Sequence, residues 1–594
     1  MPRDPHYPLI PLRLVGRDFL LLTLIWCLGI CLVNPVADFP LIDDWSYGMA
    51  ARHFAEHGDF HPGGWVAMPL LTNVLWGALF CLPAGFSFTA LRLSTLVAAW
   101  LGIGGSYLLV REQGGGRRLA WLAALLLGFN PAFYELSYTF MTDVPFFALS
   151  TFTVLFLARH IRQGRDADLL LGALLAVASV LSRQLGLAAP LAFVPALLLA
   201  RGVSRGTLLR ALTPLALCLA ASFSLHHWLA ATGRIPALYD FNANNLRLML
   251  AAPTLLVSNL LVNSALALHF LGWFLLPALL VLSVELWRAK RSALEHIGQR
   301  LAWRLTGGRF ALPGLAGAVV LGCLLVVWQQ PAYEAHAPDM LVKEGMGPLS
   351  LTETFPGQVH ELPLLPAGFW WGLNTAAYMG GALLLVCLLL RALRSAPSQQ
   401  RGAVSAGPFI FLIIGIYLVP ILATGFYDRY LLPLLPLLVA GLTTPALPAE
   451  HGRGWRRYGL AALLVGFGVC FALAGTRDYL AWNRARWQAL DDLVTVARVP
   501  VGQIDGGFEY DGLHFYDPRY RPPLGKGWWW IPADTYRIGF GPWAGYEVVR
   551  AYPFPHLLPA YTGRILVLKK LTRAQPVPPA QATAVSGQLP ASAE

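Results

Sequence analysis

The sequence predicts a polytopic α-helical membrane protein, and three observations lead to this fold class. Of its 594 residues, 56% are hydrophobic and only 13% are charged, whereas soluble proteins carry about a quarter charged residues. Apolar runs of roughly twenty residues, the length that crosses a bilayer core, recur along the chain. Short clusters rich in Arg and Lys separate these runs. A water-soluble globular fold is therefore excluded.

About thirteen apolar runs are long enough to predict transmembrane helices. These runs lie near residues 18–36, 88–110, 119–136, 144–160, 168–183, 185–200, 208–231, 260–287, 310–328, 367–392, 407–426, 430–448 and 458–476. The first run lacks a small-residue cleavage site and is followed by further spans, which predicts a membrane anchor rather than a cleaved signal peptide.

The positions of the basic clusters predict the orientation of the chain. Arg and Lys accumulate in cytoplasmic loops, so the net charge of +12 reflects membrane topology rather than a nucleic-acid surface. The N-terminus is then inside, and most acidic, aromatic and His residues outside the spans face outward. The outward segments are 37–87, 130–143, 232–252, 329–366, 427–429 and the chain after 477. We therefore expect the functional site on the outer side.

The composition divides the chain into a membrane domain, a small extracytoplasmic α/β domain and a disordered tail. These regions are 1–476, 477–574 and 575–594. The second region contains the turn dipeptides Asp505-Gly506 and Asp511-Gly512 and a β-like run, Ile565–Leu568. The tail is rich in Pro, Ala and Ser and cannot bury a core.

Two aromatic or acidic segments of the second region allow two interpretations. Residues 504–512 and Trp528–Trp530 are compatible with carbohydrate binding, because aromatic faces stack on sugars and carboxylates accept hydrogen bonds from hydroxyls. They are also compatible with ordinary turns and core aromatic residues.

Nucleotide-driven transport and zincin chemistry have no support, because the chain has no P-loop, GxGxxG or HExxH motif. The seven cysteines form no Cys-x-x-Cys pair and read as small buried hydrophobic residues.

The first outward segment begins with two adjacent carboxylates, Asp43 and Asp44. Adjacent acids destabilise each other's charged form, so such a pair can hold one carboxylate as a general base or bind a divalent cation. The same position, just ahead of Trp45, is also typical of a helix N-cap. The two interpretations are compatible with each other, and the sequence leaves open whether a metal ion is required.

The stretch 42–101 resembles the first loop and second span of the bacterial aminoarabinose-lipid A transferases and the related protein O-mannosyltransferase-like family. The matching elements are Asp43-Asp44-x-x-Tyr47-x-x-Ala50, His57-Gly58-Asp59-Phe60, Pro69-Leu70 and Leu91-Arg92-Leu93-Ser94. The resemblance implies a GT-C fold and an inverting transferase that uses a lipid-phosphate-linked sugar. It implies Asp43 as the catalytic base, with Asp44 in place of the usual Glu.

A lipid phosphate that leaves needs cations to stabilise its developing charge. The resemblance implies Arg183, in a charged break between apolar runs similar to the family's Thr-Lys-Gly segment, and Arg429, in a Tyr/Pro-rich late span. Snorkelling of Arg183 toward the head groups and a local ion pair between Arg429 and Asp428 are the alternatives.

One departure concerns a Lys-Pro-Pro motif of the family, whose Lys contacts phosphate. This chain has Met68-Pro69-Leu70 at that place, so the ammonium group is missing. The cations that can compensate are Arg92, Arg183, Lys343 and Arg429. Tyr47 completes the set expected at the donor phosphate.

Several further residues are expected near the substrates. Asp143 matches an acidic position of the family and joins Asp43 and Asp44 as a catalytic candidate, with capping of the following helix as the alternative. The candidates for substrate contact are Tyr134, Glu135, Tyr427 and Lys343. Lys343 belongs to a long outward segment that we interpret as an acceptor-binding or lid segment.

These observations predict a glycosyltransferase of the bacterial inner membrane that acts on its extracytoplasmic side. The expected partners are a polyprenyl-phosphate-linked sugar donor and a lipid, glycan or protein acceptor. A flippase for lipid-linked saccharides is an alternative, although the sequence lacks the repeated halves and paired broken helices typical of transporters. A non-catalytic envelope assembly subunit, in which the carboxylates only cap helices, is another.

Overall fold

The computed structural model describes residues 12–296, 340–353, 362–392, 406–443, 456–521 and 530–571. The predicted span 310–328 and tail 575–594 lie outside these ranges. The helices are α1 (Leu12–Val33), α2 (Asp44–His57), α3 (Leu71–Cys81), α4 (Phe88–Glu112), α5 (Arg117–Gly128), α6 (Pro131–Leu136), α7 (Asp143–Gln163), α8 (Asp166–Ser182), α9 (Ala188–Arg201), α10 (Arg205–Ala231), α11 (Phe241–Ala251), α12 (Pro253–His296), α13 (Ser350–Glu353), α14 (Ala367–Ala392), α15 (Gly407–Thr424), α16 (Leu434–Leu442), α17 (Arg456–Asp491) and α18 (Phe508–Phe515).

Within the described ranges, nine helices are long and apolar enough to cross a membrane, which confirms the polytopic α-helical fold. They are Gly16–Val33, Phe88–Glu112, Asp143–Gln163, Gln184–Arg201, Arg205–Ala231, Pro253–Trp287, Ala367–Ala392, Gly407–Thr424 and Tyr458–Val496.

Three of the predicted spans are shorter or divided in the structure. The run 119–136 splits into α5 and α6, because Asn130 caps a new helix by accepting the Phe133 N–H at 3.2 Å and Pro131 occupies its first turn. The run 168–183 forms α8, which has 17 residues. The run 430–448 gives a 3₁₀ turn and then α16, which has 9 residues.

The segments predicted to face outward contact one another. The first loop meets the second where the Phe140 N–H donates to Asp44 at 2.7 Å. The same loop meets the 232–252 segment where Arg234 pairs with Asp59 at 2.6 Å. The segments predicted to face inward pair separately, for example Arg162 with Glu112 at 3.0 Å. These contacts group the two sets of segments separately, and the assignment of one set to the inside stays a prediction.

The C-terminal region joins the membrane domain without a break in helix α17. The boundary predicted at residue 477 lies inside this helix, because the change in composition records a change in surroundings rather than the end of an element. A π turn follows at Asp492–Val496. The remaining chain forms a four-stranded mixed sheet in the order β3-β4-β6-β5. The strands are β1 (Leu341–Val342), β2 (Gly345–Met346), β3 (Ile504–Asp505), β4 (Tyr536–Gly539), β5 (Tyr546–Leu557) and β6 (Ala560–Lys570).

The two predicted turn dipeptides behave differently. Asp505 ends β3, and a turn follows at Gly507, whose φ of 92° favours glycine. The turn predicted at Asp511-Gly512 is wrong, because both residues lie inside α18. Asp511 instead accepts the Gly506 N–H at 3.1 Å and holds the start of this helix. The β-like run Ile565–Leu568 lies in β6.

Candidate active site

Asp43 occupies the N-cap position of α2, but its side chain makes no capping hydrogen bond. One carboxylate oxygen instead accepts the indole N–H of Trp65 at 2.8 Å. The other accepts the Tyr47 hydroxyl at 3.5 Å. The carboxylate is thus turned away from its own helix and toward the groups of the first loop, where it is half-buried.

The residues on both sides of Asp43 are fixed by buried contacts. Ile42 adopts a left-handed conformation with φ of 55°, which is strained for a β-branched residue. Its N–H donates to Glu509 of the C-terminal domain at 3.1 Å. On the other side, Asp44 accepts the backbone N–H groups of Leu41 and Phe140. Asp43 is therefore presented from a short segment with two anchors.

The contacts of Asp44 indicate a structural role, whereas the sequence predicted a catalytic one. Its side chain is buried and joins the first loop to the second through Phe140. Burial raises the pKa of Asp44 to about 8, although Arg92 and the two backbone donors act in the opposite direction. The two adjacent acids diverge, and only Asp43 faces the candidate site.

We expect the Asp44→Asn variant to flatten the pH dependence of stability. Because the pKa of Asp44 is raised from 3.8 to about 8 on folding, its contribution is complete below the unfolded pKa and is lost as the pH rises toward 8. The slope inside this window is about 1.4 kcal/mol per pH unit. Thermal unfolding of the detergent-solubilised wild type and variant between pH 4 and 9 measures how the free energy of unfolding changes with pH. A slope equal to that of the exposed control Asp240→Asn would contradict the assignment.

A second carboxylate, Asp143, joins two arginines from distant parts of the chain. Arg183 follows α8 and donates to Asp143 Oδ1. Arg429 lies in the 3₁₀ turn before α16, with its Nε 3.8 Å from the same oxygen. All three side chains are buried. Two guanidinium groups therefore share one carboxylate oxygen.

Further contacts bear on the alternatives left by the sequence. Arg183 is buried beside Asp143 and does not snorkel toward the head groups. Neither Thr142 nor Asp143 supplies a side-chain cap to α7, and the Thr142 hydroxyl donates to the Met68 sulfur at 3.3 Å. Asp428 accepts the backbone N–H of Arg429 at 2.7 Å and so orders the turn that carries this arginine.

Aromatic rings support the two arginines. The Arg183 guanidinium lies 4.8 Å from the ring centre of Tyr430, and the Arg429 guanidinium lies 4.8 Å from that of Tyr427. The Tyr417 hydroxyl fixes the Tyr430 backbone through a hydrogen bond of 2.8 Å. Planar guanidinium groups held in this way are oriented for bidentate contacts with phosphate.

Tyr47 connects the Asp43 carboxylate with the cationic cluster. Burial and the neighbouring Asp43 raise the pKa of Tyr47, while the charges of Arg183 and Arg429 act to lower it. The structure thus brings the predicted site residues into two contacting groups, Asp43 with Tyr47 and Asp143 with Arg183 and Arg429. The charges of both groups act on Tyr47.

Met68 and its neighbours, where the family has Lys-Pro-Pro, lie beside Arg183. The Leu70 N–H donates to the carbonyl of Ser182 at 3.4 Å, and the Gln184 side chain donates to the carbonyl of Ala67 at 3.2 Å. The residues on both sides of Arg183, through the Ser182 carbonyl and the Gln184 side chain, are thus tied to this segment. Among the four cations expected to compensate for the missing Lys, Arg183 is the one that these contacts place beside the 67–70 segment.

Arg92 is separate from the cationic cluster. It is 1% exposed, and its guanidinium donates to four backbone carbonyls. These carbonyls belong to Pro35, Ala37, Phe39 and Tyr138. Since four of its five N–H groups are used, Arg92 holds the entry of the first loop against the second loop. We therefore leave it out of the donor site.

The four expected substrate contacts have different surroundings. Tyr134 is fully buried, stacks on Phe129 and exchanges a hydroxyl hydrogen bond of 2.8 Å with Tyr138. Glu135 is also fully buried. Lys343 is exposed in the β1–β2 hairpin, whose neighbouring Met340 N–H donates to Asp428 at 3.4 Å. Tyr427 is in contact with Arg429.

Aromatic residues of the C-terminal region pack against Trp45, close to Asp43 in the chain. Phe508 and Trp530 are buried against Trp45, and half-buried Trp65 and Tyr516 border them. The buried members support the interpretation as core aromatic residues. Trp65 has a second role because its indole orients the Asp43 carboxylate. Trp528 and Trp529 lie outside the described residues.

A divalent cation has no evident ligand set among the described residues. They contain no group of three or more His, Cys, Asp or Glu side chains that could hold a metal ion. Asp43 and Asp44 point in different directions and therefore do not form the paired site that their adjacency suggested.

Sequence reasoning missed two residues that bear on the site, Glu509 and Arg486. Both are fully buried, and they form an ion pair of 2.7 Å. Glu509 reaches Ile42 across 467 positions of the chain, so no local pattern could reveal the contact. The only signal in the sequence was the presence of an acidic residue within the segment 504–512.

Comparisons with known proteins provide an independent view. Residues 68–229 match the family model described as dolichyl-phosphate-mannose-protein mannosyltransferase. This stretch extends from just before α3 almost to the end of α10 and includes Asp143 and Arg183. Among the curated proteins, no match was found.

Three solved structures are similar over long stretches at low identity. ArnT from Cupriavidus metallidurans bound to undecaprenyl phosphate has 12% identity and a TM-score of 0.37, with 95% of this chain and 99% of that chain covered. Its apo state has 12% identity and a TM-score of 0.38, with 93% and 97% covered. The oligosaccharyltransferase AglB from Archaeoglobus fulgidus, in complex with an inhibitory peptide and a dolichol-phosphate, has 15% identity and a TM-score of 0.27, with 73% and 56% covered.

The family match covers the part of the membrane domain that carries Asp143 and Arg183, whereas the resemblance drawn from the sequence began at Ile42. The two stretches overlap from residue 68 to 101. Over residues 68–229 the chain matches the family of dolichyl-phosphate-mannose-protein mannosyltransferases, and this confirms its resemblance to the GT-C glycosyltransferases.

Proposed function

We propose that this protein is an inverting glycosyltransferase that moves a sugar from a polyprenyl-phosphate donor to an envelope acceptor on the extracytoplasmic face of the membrane. One observation carries the proposal. The Asp43 carboxylate is held by Trp65 and Tyr47, and the charges of a buried cluster of two arginines that share Asp143 act on the same tyrosine. A base and an anion-binding group are the two parts that such a reaction needs.

The cationic cluster is the proposed site of the donor phosphate. Arg183 and Arg429 share Asp143, and their contacts with Tyr430 and Tyr427 orient them. Buried guanidinium groups bind phosphate strongly and stabilise the charge that develops on a leaving phosphate. Tyr47 can donate its hydroxyl to the same phosphate.

Asp43 is the proposed base for the acceptor. Its carboxylate takes the proton of an acceptor hydroxyl while that oxygen forms a bond to the anomeric carbon of the sugar. The bond between this carbon and the phosphate oxygen breaks, and the electron pair leaves with the polyprenyl phosphate held by the arginines. Attack opposite to the leaving phosphate inverts the configuration of the anomeric carbon.

Asp143 is the proposed organiser of the donor site. Its Oδ1 holds both arginines, and its Oδ2 accepts no hydrogen bond from the residues that the structure describes. A buried carboxylate oxygen without a hydrogen bond from these residues is suited to accept a hydrogen bond from a hydroxyl of the bound sugar. Asp143 would then orient the donor while Asp43 acts on the acceptor.

The function as a non-catalytic assembly subunit finds less support. It explains the acids as helix caps, whereas neither Asp43 nor Thr142-Asp143 makes a side-chain capping contact.

The test uses purified protein in liposomes with a polyprenyl phosphate that carries a labelled sugar, together with an envelope fraction from cells lacking the protein. We expect the label to leave the polyprenyl pool and to appear in the envelope fraction. A label that stays on the polyprenyl carrier but changes leaflet would instead indicate a flippase. A label that does neither would indicate an assembly subunit.

A further inference from the structure

Glu509, in α18 of the C-terminal domain, is buried at the junction of three segments. Its carboxylate accepts the Ile42 N–H at 3.1 Å and the Ser350 hydroxyl at 2.7 and 2.9 Å. It also pairs with Arg486 of α17 at 2.7 Å. Glu509 and Arg486 are both 0% exposed. A charged pair is buried so completely only when its hydrogen bonds are well satisfied.

The contact with Ile42 bears directly on the carboxylate of the site. Ile42 precedes Asp43 and has a φ of 55°, a conformation that β-branched residues adopt only when the surroundings impose it. The Ile42 side chain is itself buried. Since the Glu509 carboxylate fixes the N–H of this strained residue, it fixes the direction in which the next residue leaves the backbone.

We propose that Glu509 is a positioning residue, which holds Asp43 in its working orientation through the backbone of Ile42. This inference rests on the proposed function, since it assigns a role to Glu509 in the reaction that Asp43 performs. The C-terminal region thereby supports the site through the Glu509 carboxylate.

The Ser350 contact extends the same role to the third outward segment. Ser350 begins α13, and the β1–β2 hairpin precedes it in the chain. The N–H of Met340, at the start of this hairpin, donates to Asp428 beside Arg429. The segment 340–350 therefore spans from the cationic cluster to Glu509. Glu509 links the position of this segment to that of Asp43.

Two variants test the proposal. Glu509→Gln keeps the size of the side chain but weakens all three contacts, and Ser350→Ala removes one donor without leaving a charge unpaired. We expect the turnover number to fall about tenfold in Glu509→Gln and less in Ser350→Ala, with an unchanged KM for the donor, because the arginine cluster is intact.

A double-mutant cycle with Asp43→Asn separates positioning from a general structural role. If Glu509 acts through Asp43, Glu509→Gln causes little further loss of turnover once Asp43 is Asn. An additive loss, or an increased donor KM equal in size to the loss of turnover, would overturn the proposal.

A third measurement is independent of activity. Hydrogen exchange of the wild type and of Ser350→Ala and Glu509→Gln reports the Ile42 N–H directly. We expect faster exchange at Ile42 in Glu509→Gln, with the α7 amides unchanged. Unchanged exchange at Ile42 overturns the role of Glu509. If the wild type transfers no sugar but the Ile42 N–H exchanges faster in Glu509→Gln, the proposed function is rejected. The hydrogen bond between Glu509 and Ile42 is supported in that case.

Discussion

Replacement of Asp43 by Asn is expected to lower the turnover number for sugar transfer by roughly a hundredfold to ten-thousandfold, the range that a general base contributes. Asn keeps an oxygen that can accept the Trp65 indole N–H, so the local structure should persist. It has no basic oxygen with which to take the proton of an acceptor hydroxyl. Donor affinity should remain unchanged, because Arg183 and Arg429 are not altered.

The measurement is transfer of label from the polyprenyl-phosphate donor, with donor affinity measured in parallel. Asp59→Asn is a matched control, since it changes an exposed acid of the same loop that pairs with Arg234. Full turnover in Asp43→Asn would reject the catalytic role of this residue. A loss of the same size in the control would show that the loop as a whole is sensitive to charge.

The second large effect is expected from the arginine cluster. Arg183→Ala and Arg429→Ala should each weaken the binding of polyprenyl phosphate by about tenfold to a hundredfold, since hydrogen bonds to charged groups contribute about 1.5–3 kcal/mol. Titration of the purified variants with polyprenyl phosphate measures this. Arg234→Ala is the control, because Arg234 lies in an outward segment and pairs with the exposed Asp59.

Loss of one arginine also leaves the buried Asp143 with fewer partners, which can destabilise the fold. The double variant Asp143→Asn with Arg183→Gln replaces the ion pair by two neutral amides of similar shape. It should fold and still bind the phosphate more weakly than the wild type. Unchanged affinity in the double variant and in Arg429→Ala would remove both arginines from the donor site.

The membrane domain could be predicted largely from the sequence. Apolar runs give helices such as α4, α7 and α14 because a bilayer requires about twenty apolar residues for each span. Runs interrupted by a cap or a proline were harder to assign. The Asn130-Pro131 pair divides one predicted span into two helices, since both residues favour a new helix start.

The site residues could be found individually, but their grouping could not. Asp43, Asp143, Arg183 and Arg429 are acids and arginines at the ends of apolar runs, which makes each of them conspicuous. Arg92 is equally conspicuous, yet it binds backbone carbonyls and has no place in the cluster. The residue type and its position along an apolar run cannot tell whether an arginine binds backbone carbonyls or pairs with a carboxylate. Either set of partners satisfies the hydrogen bonds of a buried guanidinium group.

The sequence by itself determined that this chain has several helices suited to cross a membrane and which charged residues lie at the ends of its apolar runs, whereas the direction in which its loops face stays a prediction. These properties follow from composition and periodicity along the chain. Only the tertiary structure decided that Asp43 contacts Trp65 and Tyr47 while Asp44 turns into the core, and that Glu509 holds Ile42. Such choices depend on contacts between residues hundreds of positions apart, and no local pattern records them.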